Sequence, residues 1–225
     1  MIQISFLTIH PQFVKAYFDF GVMASGSKQN LLKADAIDLR DFAIDKRGSI
    51  DAPPYGGGDG MVMRPEPLVA ALKSVGGCPK VILPSPGAPQ ITQSDCKALA
   101  ESESLVFVCG RFGGVDQRFI DGYVDFQFSV GDFVISGGEL PALTLADGIC
   151  RQIPGVLGNA QSVESDSFGA AFQGCLEHPL YTKPVEFEGQ TVPEVLRSGD
   201  HKKITEWKMA MSLKKTKDWR QDLLN

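Results

Sequence analysis

The chain reads SVGDFVISGGELPALTLAD from residue 129 to residue 147, and this segment gives the clearest indication of the fold. Residues 133–136 predict a short strand, and the glycine pair at 137–138 predicts a tight turn into a helix. Pro141 fits the first turn of that helix, where its missing N–H costs nothing. A strand that leads through such a turn into a helix is typical of an α/β domain. The residues expected on the buried side of the helix are Leu140, Leu143, Leu145, Ile149 and Ile153.

The same alternation of strand and helix fills the chain before this segment. Four runs rich in apolar and β-branched residues predict strands at 2–9, 34–39, 80–84 and 105–109. Between the strands, apolar residues recur at three- and four-residue steps and predict helices. We therefore predict an α/β domain over residues 1–158, with a mostly parallel sheet covered on both faces. The residues that mark the helices are Phe13, Ala16, Tyr17 and Phe20 for one, and Leu68, Val69, Leu72 and Val75 for another.

The composition changes after residue 158. Residues 159–175 are rich in Gly, Ser, Ala and Asn without a sustained apolar period, which predicts a flexible interdomain connector. Residues 176–225 predict a small helical domain, with helices in VPEVLRSG at 192–199 and HKKITEWKMAMSLKKTKDW at 201–219. The residues expected on the inner face of the second helix are Ile204, Trp207, Met211 and Leu213.

The net charge of −5 is unevenly distributed along the chain. Residues 201–220 carry seven basic and two acidic side chains, a local charge of +5, which leaves −10 for the remainder. Such a basic helix on an acidic body favours an element that approaches nucleic-acid phosphates. A solvated amphipathic helix is an equally acceptable interpretation. The candidate phosphate-binding residues are Lys202, Lys208, Lys214, Lys215 and Lys217.

The amino-terminal sequence and the cysteine pattern indicate the cellular compartment of the protein. The opening MIQISFLTIHPQF has no basic region or cleavage site, and Pro11 interrupts it well short of the roughly 18 apolar residues of a membrane span. The five cysteines form no C-x-x-C pair, which is typical of free thiols in a reducing compartment and argues against a zinc site. We expect a cytoplasmic protein without a membrane partner.

Two further glycine-rich segments are candidate binding loops. PYGGGDGM at 54–61 is not a P-loop, because no Lys-Ser/Thr follows it, and Met61 breaks the G-x-G-x-x-G spacing. A structural turn is the favoured interpretation there. CGRFGGVDQR at 109–118 directly follows a predicted strand, where open α/β sheets bind ligands, although a simple tight connection fits equally well.

Taken together, the motifs resemble the bacterial tRNA (guanine-N1)-methyltransferase family, TrmD, over nearly the whole chain. The longest matching segment, at 129–147, is also the most specific. The other matching segments are PYGGGDGM at 54–61, GRFGGVDQR at 110–118, IPGVLGN at 153–159, ESDSF at 164–168, HPLYTKP at 178–184 and VPEVLRSGDH at 192–201.

The resemblance implies a knotted α/β fold in the first domain, with S-adenosyl-L-methionine (AdoMet) held in the knotted crevice. In the family, backbone groups hold this cofactor, and the expected substrate is N1 of the guanosine at position 37 of tRNA, next to the anticodon. The residues implied to bind AdoMet are Pro86, Gly110, Val130, Gly131, Asp132, Phe133, Val134, Ile135, Gly137 and Gly138.

The resemblance also implies an obligate homodimer with the active site at the subunit interface. By position, Asp166 corresponds to the general base, and Arg151 to the residue that orients the base or the guanine. These residue types suit the chemistry, since guanine N1 must lose its proton to become a good nucleophile, and charge then develops on O6.

The chain departs from the family pattern in the second glycine-rich segment. Where relatives read G-R-Y-E-G-I-D-E-R, this chain has Phe112 and Gly113 in place of the Tyr and the Glu. That glutamate is associated with the family's Mg²⁺ requirement, so Mg²⁺ is implied as a cofactor and Gly113 argues against it. The alternative functions are methylation of another RNA base or a ribose by the same fold, or RNA binding without catalysis.

Overall fold

A computed structural model of the protein describes residues 1–46, 48–159 and 164–224. The chain divides into two compact units, 1–158 and 159–225. Within the described ranges, no helix is both long enough and apolar enough to cross a bilayer.

The first unit is built on a five-stranded sheet. From one edge of the sheet to the other lie the strands at 32–38, 2–8, 104–108, 80–84 and 126–128, and every neighbouring pair is parallel. Two short strands at 51–52 and 62–63 form a separate antiparallel pair. The predicted α/β domain with a mostly parallel sheet is therefore confirmed. In chain order the strands are β1 (Ile2–Thr8), β2 (Leu32–Asp38), β3 (Asp51–Ala52), β4 (Val62–Met63), β5 (Lys80–Pro84), β6 (Ser104–Val108) and β7 (Phe126–Phe128).

Helices connect these strands, and local sequence signals mark several helix starts. Pro11 and Pro65 occupy first turns, where a missing N–H leaves no bond unmade. Thr92 and Asp95 form a capping box, in which each side chain accepts a hydrogen bond from the other residue's backbone N–H. The helices described in this unit are α1 (Pro11–Phe18), α2 (Gly21–Lys28), α3 (Pro65–Val75), α4 (Gln93–Ala100), α5 (Gln117–Tyr123) and α6 (Glu139–Cys150).

Apolar side chains cover both faces of the sheet, because successive residues of a strand point to opposite sides. On one face Phe6 and Phe107 stack with ring centroids 5.2 Å apart, within a cluster that includes the buried side of α6. On the other face Val106 and Val108 belong to a cluster with Leu68 of α3, as the spacing along that helix predicted. The two cores fix the central strands, and thereby the positions of their carboxyl ends.

The predicted strand at residues 133–136 is wrong. The strand lies earlier, at β7, and the backbone after it turns at Gly131 with φ +152° and runs irregularly to α6. Val134 is 85% exposed, so this apolar side chain does not pack into the core of the first unit. Strand propensity is local, whereas a strand also needs a hydrogen-bonding partner and a core to cover, which residues 133–136 do not have in the described structure.

Two predicted helix faces also need correction. In α1 the buried residues are Val14 and Phe18, and the four residues that marked the predicted face, Phe13, Ala16, Tyr17 and Phe20, are all exposed. The helix ends at Phe18, whereas the predicted apolar face extended to Phe20, which lies beyond the helix. In α6, Leu143, Leu145 and Ile149 are buried as predicted, but Leu140 is 57% exposed, and Ile153 lies half-buried beyond the end of the helix at Cys150.

The second unit is organised around a long helix. On this helix, His201–Trp219, the side chains of Ser212 and Thr216 are buried and bond to the backbone of Leu176. Thr216 Oγ1 accepts from the Leu176 N–H at 3.0 Å, and Ser212 Oγ donates to the Leu176 carbonyl at 2.6 Å. Leu213, predicted on the inner face, is exposed instead. The regular elements described are β8 (Glu186–Phe187), β9 (Gln190–Thr191), α7 (Glu194–Arg197) and α8 (His201–Trp219), with 3-10 turns at Ala170–Phe172 and Gln221–Leu224.

The described end of the predicted connector is folded within this second unit. Phe172 is buried, and its ring meets His178 edge-on at 5.4 Å between centroids. His178 in turn lies 6.1 Å from Trp207 of α8. The small aromatic cluster therefore ties the segment that carries Asp166 to the long helix; residues 160–163 of the connector lie outside the described part of the chain.

Candidate functional site

A cavity of about 400 Å³ lies at the carboxyl ends of β5, β6 and β7. This edge of a parallel sheet is where open α/β folds place ligands. The cavity walls come from the loops that follow these strands and from the irregular segment that leads into α6. The lining segments are 83–86, 110–115, 127–131 and 133–138, together with Ile120 and Pro141.

Glycines let two of these walls approach each other closely. The Gly138 N–H donates to the Gly110 carbonyl at 2.7 Å. A Cβ on Gly138 would lie 2.5 Å from the Gly110 nitrogen and 2.8 Å from the Cys109 carbonyl carbon, both of which are backbone atoms. Only glycine fits at position 138 without moving the chain, and the reason is close packing, since the φ of Gly138 is an ordinary −78°.

A second turn shapes the opposite wall. Ser129 is buried, and its hydroxyl both donates to the Gly131 carbonyl at 2.9 Å and accepts from the Gly131 N–H at 3.0 Å. A Cβ on Gly131 would lie 2.5 Å from the ring of Phe133, and its φ of +152° is itself unfavourable for other residues. The turn directs Phe133 and the residues after it along the cavity.

Nine of the ten residues that the resemblance assigns to AdoMet line this cavity. Asp132 does not line it, although Gln90 Nε2 donates to its carboxylate at 3.4 Å. The resemblance did not assign Ser85, residues 111–113 or Ser129 to the cofactor, although residues 109–118 were a candidate binding loop. For Ser85 and residues 111–113, a position just after a predicted strand was the available signal. The strand before Ser129 was not predicted. The nine lining residues are Pro86, Gly110, Val130, Gly131, Phe133, Val134, Ile135, Gly137 and Gly138.

A chain of polar groups runs along one wall. Glu139, at the start of α6, is buried, and its Oε1 accepts from the Thr8 hydroxyl at 2.9 Å. Its Oε2 lies 3.4 Å from Nη1 of Arg111, and Nη2 of Arg111 lies 3.1 Å from Nε2 of His10. Burial raises the pKa of the neighbouring Cys109 thiol well above its usual range, which keeps that thiol neutral.

The two predicted catalytic residues lie outside the cavity. Arg151 is the C-terminal cap of α6 in the first unit, and its N–H donates to the Asp147 carbonyl at 3.0 Å. Asp166 is half-buried in the second unit, and its backbone carbonyl accepts from the Gly169 N–H at 3.0 Å. The roles of Asp166 as general base and of Arg151 as the orienting residue remain predictions.

A contact between α1 and α6 lies one helical turn before Arg151. The Tyr17 hydroxyl donates to the Asp147 carboxylate, and partial burial of the phenol, together with this hydrogen bond, raises the pKa of Tyr17. The phenol therefore stays protonated and holds α1 to α6 near the end that carries Arg151.

The predicted phosphate-binding lysines lie on α8. Lys202, Lys214 and Lys217 are exposed, whereas Lys208 and Lys215 are half-buried. The Lys215 ammonium lies 5.6 Å from the ring centroid of Trp219, a residue that is itself 74% exposed. The helix therefore offers several cations and one aromatic face to solvent.

Position 113 offers no carboxylate to a metal ion. The Gly113 N–H donates to the Met61 carbonyl at 2.7 Å, and an added Cβ would lie 3.0 Å from the same oxygen. In the described ranges, no group of three or more His, Cys, Asp or Glu side chains is placed to hold a metal ion. The described residues therefore offer Mg²⁺ no cluster of protein ligands, and the glycine at position 113 adds none.

Comparisons with known proteins agree over nearly the full chain. The sequence model of the tRNA (Guanine-1)-methyltransferase TrmD family matches residues 2–225. A protein of Actinobacillus succinogenes is 45% identical over 98% of this chain and 91% of its own length. Proteins of Pseudomonas putida and Neisseria meningitidis are 42% and 44% identical, over 99% and 97% of this chain and 90% and 88% of their own lengths. All three relatives are named tRNA (guanine-N(1)-)-methyltransferase.

Proposed function

The chain belongs to the tRNA (guanine-1)-methyltransferase family, TrmD, and from this premise we propose how its residues bind cofactor and tRNA. The protein is an AdoMet-dependent enzyme that methylates N1 of a guanine in tRNA. The finer proposal is that the guanosine at position 37, beside the anticodon, receives the methyl group, and that the cavity at the ends of β5, β6 and β7 holds AdoMet.

The observation that carries this proposal is the cavity itself. Nine residues of the expected cofactor set surround one space of about 400 Å³, which is within the usual range for small-ligand sites. Glycines at 110, 137 and 138 carry no side chain, so a ligand in the cavity can approach the backbone closely there. AdoMet supplies a methyl group already activated by its sulfonium, so no covalent intermediate on the enzyme is needed.

Removal of the proton from guanine N1 requires a base, which the described lining of the cavity does not supply. No lining residue is Asp or Glu, so in the described chain the cavity holds no carboxylate that could serve as base. We assign the base to Asp166, which lies in the second unit. As N1 loses its proton, charge develops on O6, and we assign Arg151 to orient the base or the guanine. The remaining requirement is to hold N1, the methyl carbon and sulfur in line.

We propose that a homodimer brings the cofactor cavity of one subunit and Asp166 of the other subunit into one active site. The exposed side chains of Phe133, Val134, Ile135 and Leu140 form an apolar run at the cavity and just beyond it. Large exposed apolar patches are unusual on monomeric proteins and mark contact surfaces. In the proposed dimer, the cavity of one subunit is completed by the second unit of the other.

The lysines of α8 supply the proposed contact with tRNA. Lys202, Lys214 and Lys217 are exposed cations on one helix, and phosphate contacts of this kind add affinity without reading sequence. The acidic remainder of the protein disfavours binding elsewhere on its surface.

Transfer of labelled methyl groups to defined tRNA transcripts tests the function. The purified protein, methyl-labelled AdoMet and an unmodified transcript with guanosine 37 should yield label on N1 of that base. A matched transcript with adenosine 37 should stay unlabelled. Label on a ribose or on another base of the guanosine transcript, or no label at all, would overturn the proposal.

A further inference from the structure

One of the residues that line the cavity has a charged side chain. Among the lining residues, all of which fall in the described part of the chain, Arg111 alone is a charged residue, and the polar neighbours such as Ser85, Gln127 and Ser136 are uncharged residues. A cation in a cavity lined mainly by apolar groups and backbone acts on charged ligand groups far more strongly than it would in water. Arg111 is therefore the dominant electrostatic feature that a bound ligand meets.

Other residues hold the Arg111 side chain in place. Nη1 pairs with the buried Glu139 carboxylate, which the Thr8 hydroxyl orients in turn, and Nη2 contacts the His10 ring. A Cβ on Gly137 would collide with the Arg111 side chain, so the glycine leaves a channel for it. The guanidinium is thus positioned before any ligand arrives, which lowers the entropic cost of binding.

The contact with Glu139 leaves further N–H donors of the Arg111 guanidinium available to a ligand. Its contact with Glu139 is through one nitrogen at 3.4 Å, longer than a typical charge-assisted hydrogen bond of about 2.7–2.9 Å. A guanidinium carries five N–H donors in a planar fork, so donors remain after the contacts with Glu139 and His10. The side chain is 24% exposed, whereas Glu139 behind it is 5% exposed, so the accessible member of the pair is the cation.

We propose that Arg111 binds the carboxylate of the methionine half of AdoMet and so sets the direction in which the cofactor lies in the cavity. This inference rests on the proposed function, which places AdoMet there. The carboxylate is the one anionic group of AdoMet, and its ammonium and sulfonium groups are repelled by the same guanidinium. Pairing the carboxylate with Arg111 therefore fixes one end of the cofactor and keeps the sulfonium away from the cation.

The test compares two ligands that differ only in this charge. S-adenosylhomocysteine carries the carboxylate, and its carboxamide has the same shape without the charge. Binding of both is measured by calorimetry with the full-length protein. The wild-type chain should prefer the acid by roughly 10- to 100-fold, the range expected for a hydrogen bond to a charged group.

Variants of Arg111 separate a ligand contact from a purely structural role. Arg111→Met should bring the acid-to-amide preference close to one, with little change in affinity for the amide, and Arg111→Lys should retain part of the preference. Because Arg111→Met leaves Glu139 buried without its cation, Arg111→Met/Glu139→Gln removes both charges and should show the same loss. Arg118→Met is the matched control, since Arg118 is an exposed arginine paired with Asp116 away from the cavity.

Each outcome decides the inference. Equal affinity of the wild-type chain for acid and amide would overturn it while leaving the cofactor cavity in place. An unchanged preference in Arg111→Met would do the same. Failure of the wild-type chain to bind either ligand would overturn the cofactor site and this inference with it.

Discussion

At the scale of single residues, the proposed chemistry depends on Asp166. Asp166→Asn keeps the shape and polarity of the side chain but cannot accept a proton at neutral pH. Single-turnover methyl transfer should fall by roughly 10²- to 10⁴-fold, the usual effect of losing a positioned general base. Affinity for AdoMet should not change, because no lining residue of the cavity lies in the second unit. A wild-type rate with tRNA confirmed as bound would show that another group takes the proton.

Gly138 is the residue at which the cavity is least tolerant of change. Gly138→Ala places a Cβ 2.5 Å from the Gly110 nitrogen, and backbone cannot yield as a flexible side chain does. The overpacking should lower the free energy of unfolding by about 1–3 kcal/mol and disrupt cofactor binding. Chemical denaturation and calorimetry measure the two effects.

The same substitution at Gly122 is the control for Gly138→Ala. Gly122 lies in α5 with no atom within 4 Å of an added Cβ. Gly122→Ala should therefore leave cofactor affinity unchanged and should stabilise the helix by about 0.5–1 kcal/mol. Comparable losses of cofactor affinity in both variants would show that the close approach of Gly138 to Gly110 is not what matters.

At the scale of elements, α8 carries the prediction about tRNA. Replacing Lys214, Lys215 and Lys217 with Ala should weaken tRNA binding and reduce the slope of log affinity against log salt by roughly two to three units, if each lysine neutralises one phosphate. AdoMet affinity should be unaffected. Filter binding or fluorescence titration over a range of salt concentrations measures the slope.

A charge-matched control separates α8 from a general effect of lost charge. The exposed lysines Lys28, Lys73 and Lys97 lie on three helices of the first unit, and their joint replacement removes the same charge. That variant should keep the wild-type salt slope. If the two triple variants behave alike, α8 is a solvated helix with no special contact.

Elements with strong local patterns could be predicted from the sequence. Strands β5 and β6 contain continuous apolar runs because both sheet faces are covered, and Leu143, Leu145 and Ile149 on the buried side of α6 follow the helical spacing. The segment at 133–136 could not be predicted correctly, because its apolar residues line a cavity without pairing into the sheet. In the polar chain, Glu139 contacts Arg111 at 28 positions and Thr8 at 131 positions along the sequence, and no local pattern reports such contacts.

At the scale of the whole molecule, the proposal requires two copies of the chain for one active site. The cavity lies in the first unit and contains no carboxylate in its described lining, whereas Asp166 lies in the second. If the base comes from the other subunit, two inactive variants with different defects can complement each other within a mixed dimer. A site completed within one chain does not allow such complementation.

The most direct test is to mix Gly138→Ala subunits, which have a defective cavity, with Asp166→Asn subunits, which lack the base. After unfolding and refolding together in equal amounts, half of the dimers are mixed, and each mixed dimer has one site with both an intact cavity and an intact base. Methyl transfer to the guanosine 37 transcript should recover to about one quarter of the wild-type rate per subunit. Each variant refolded alone supplies the baseline. Activity in the mixture no greater than the mean of those two baselines would contradict a site shared between the cavity and Asp166 of two subunits.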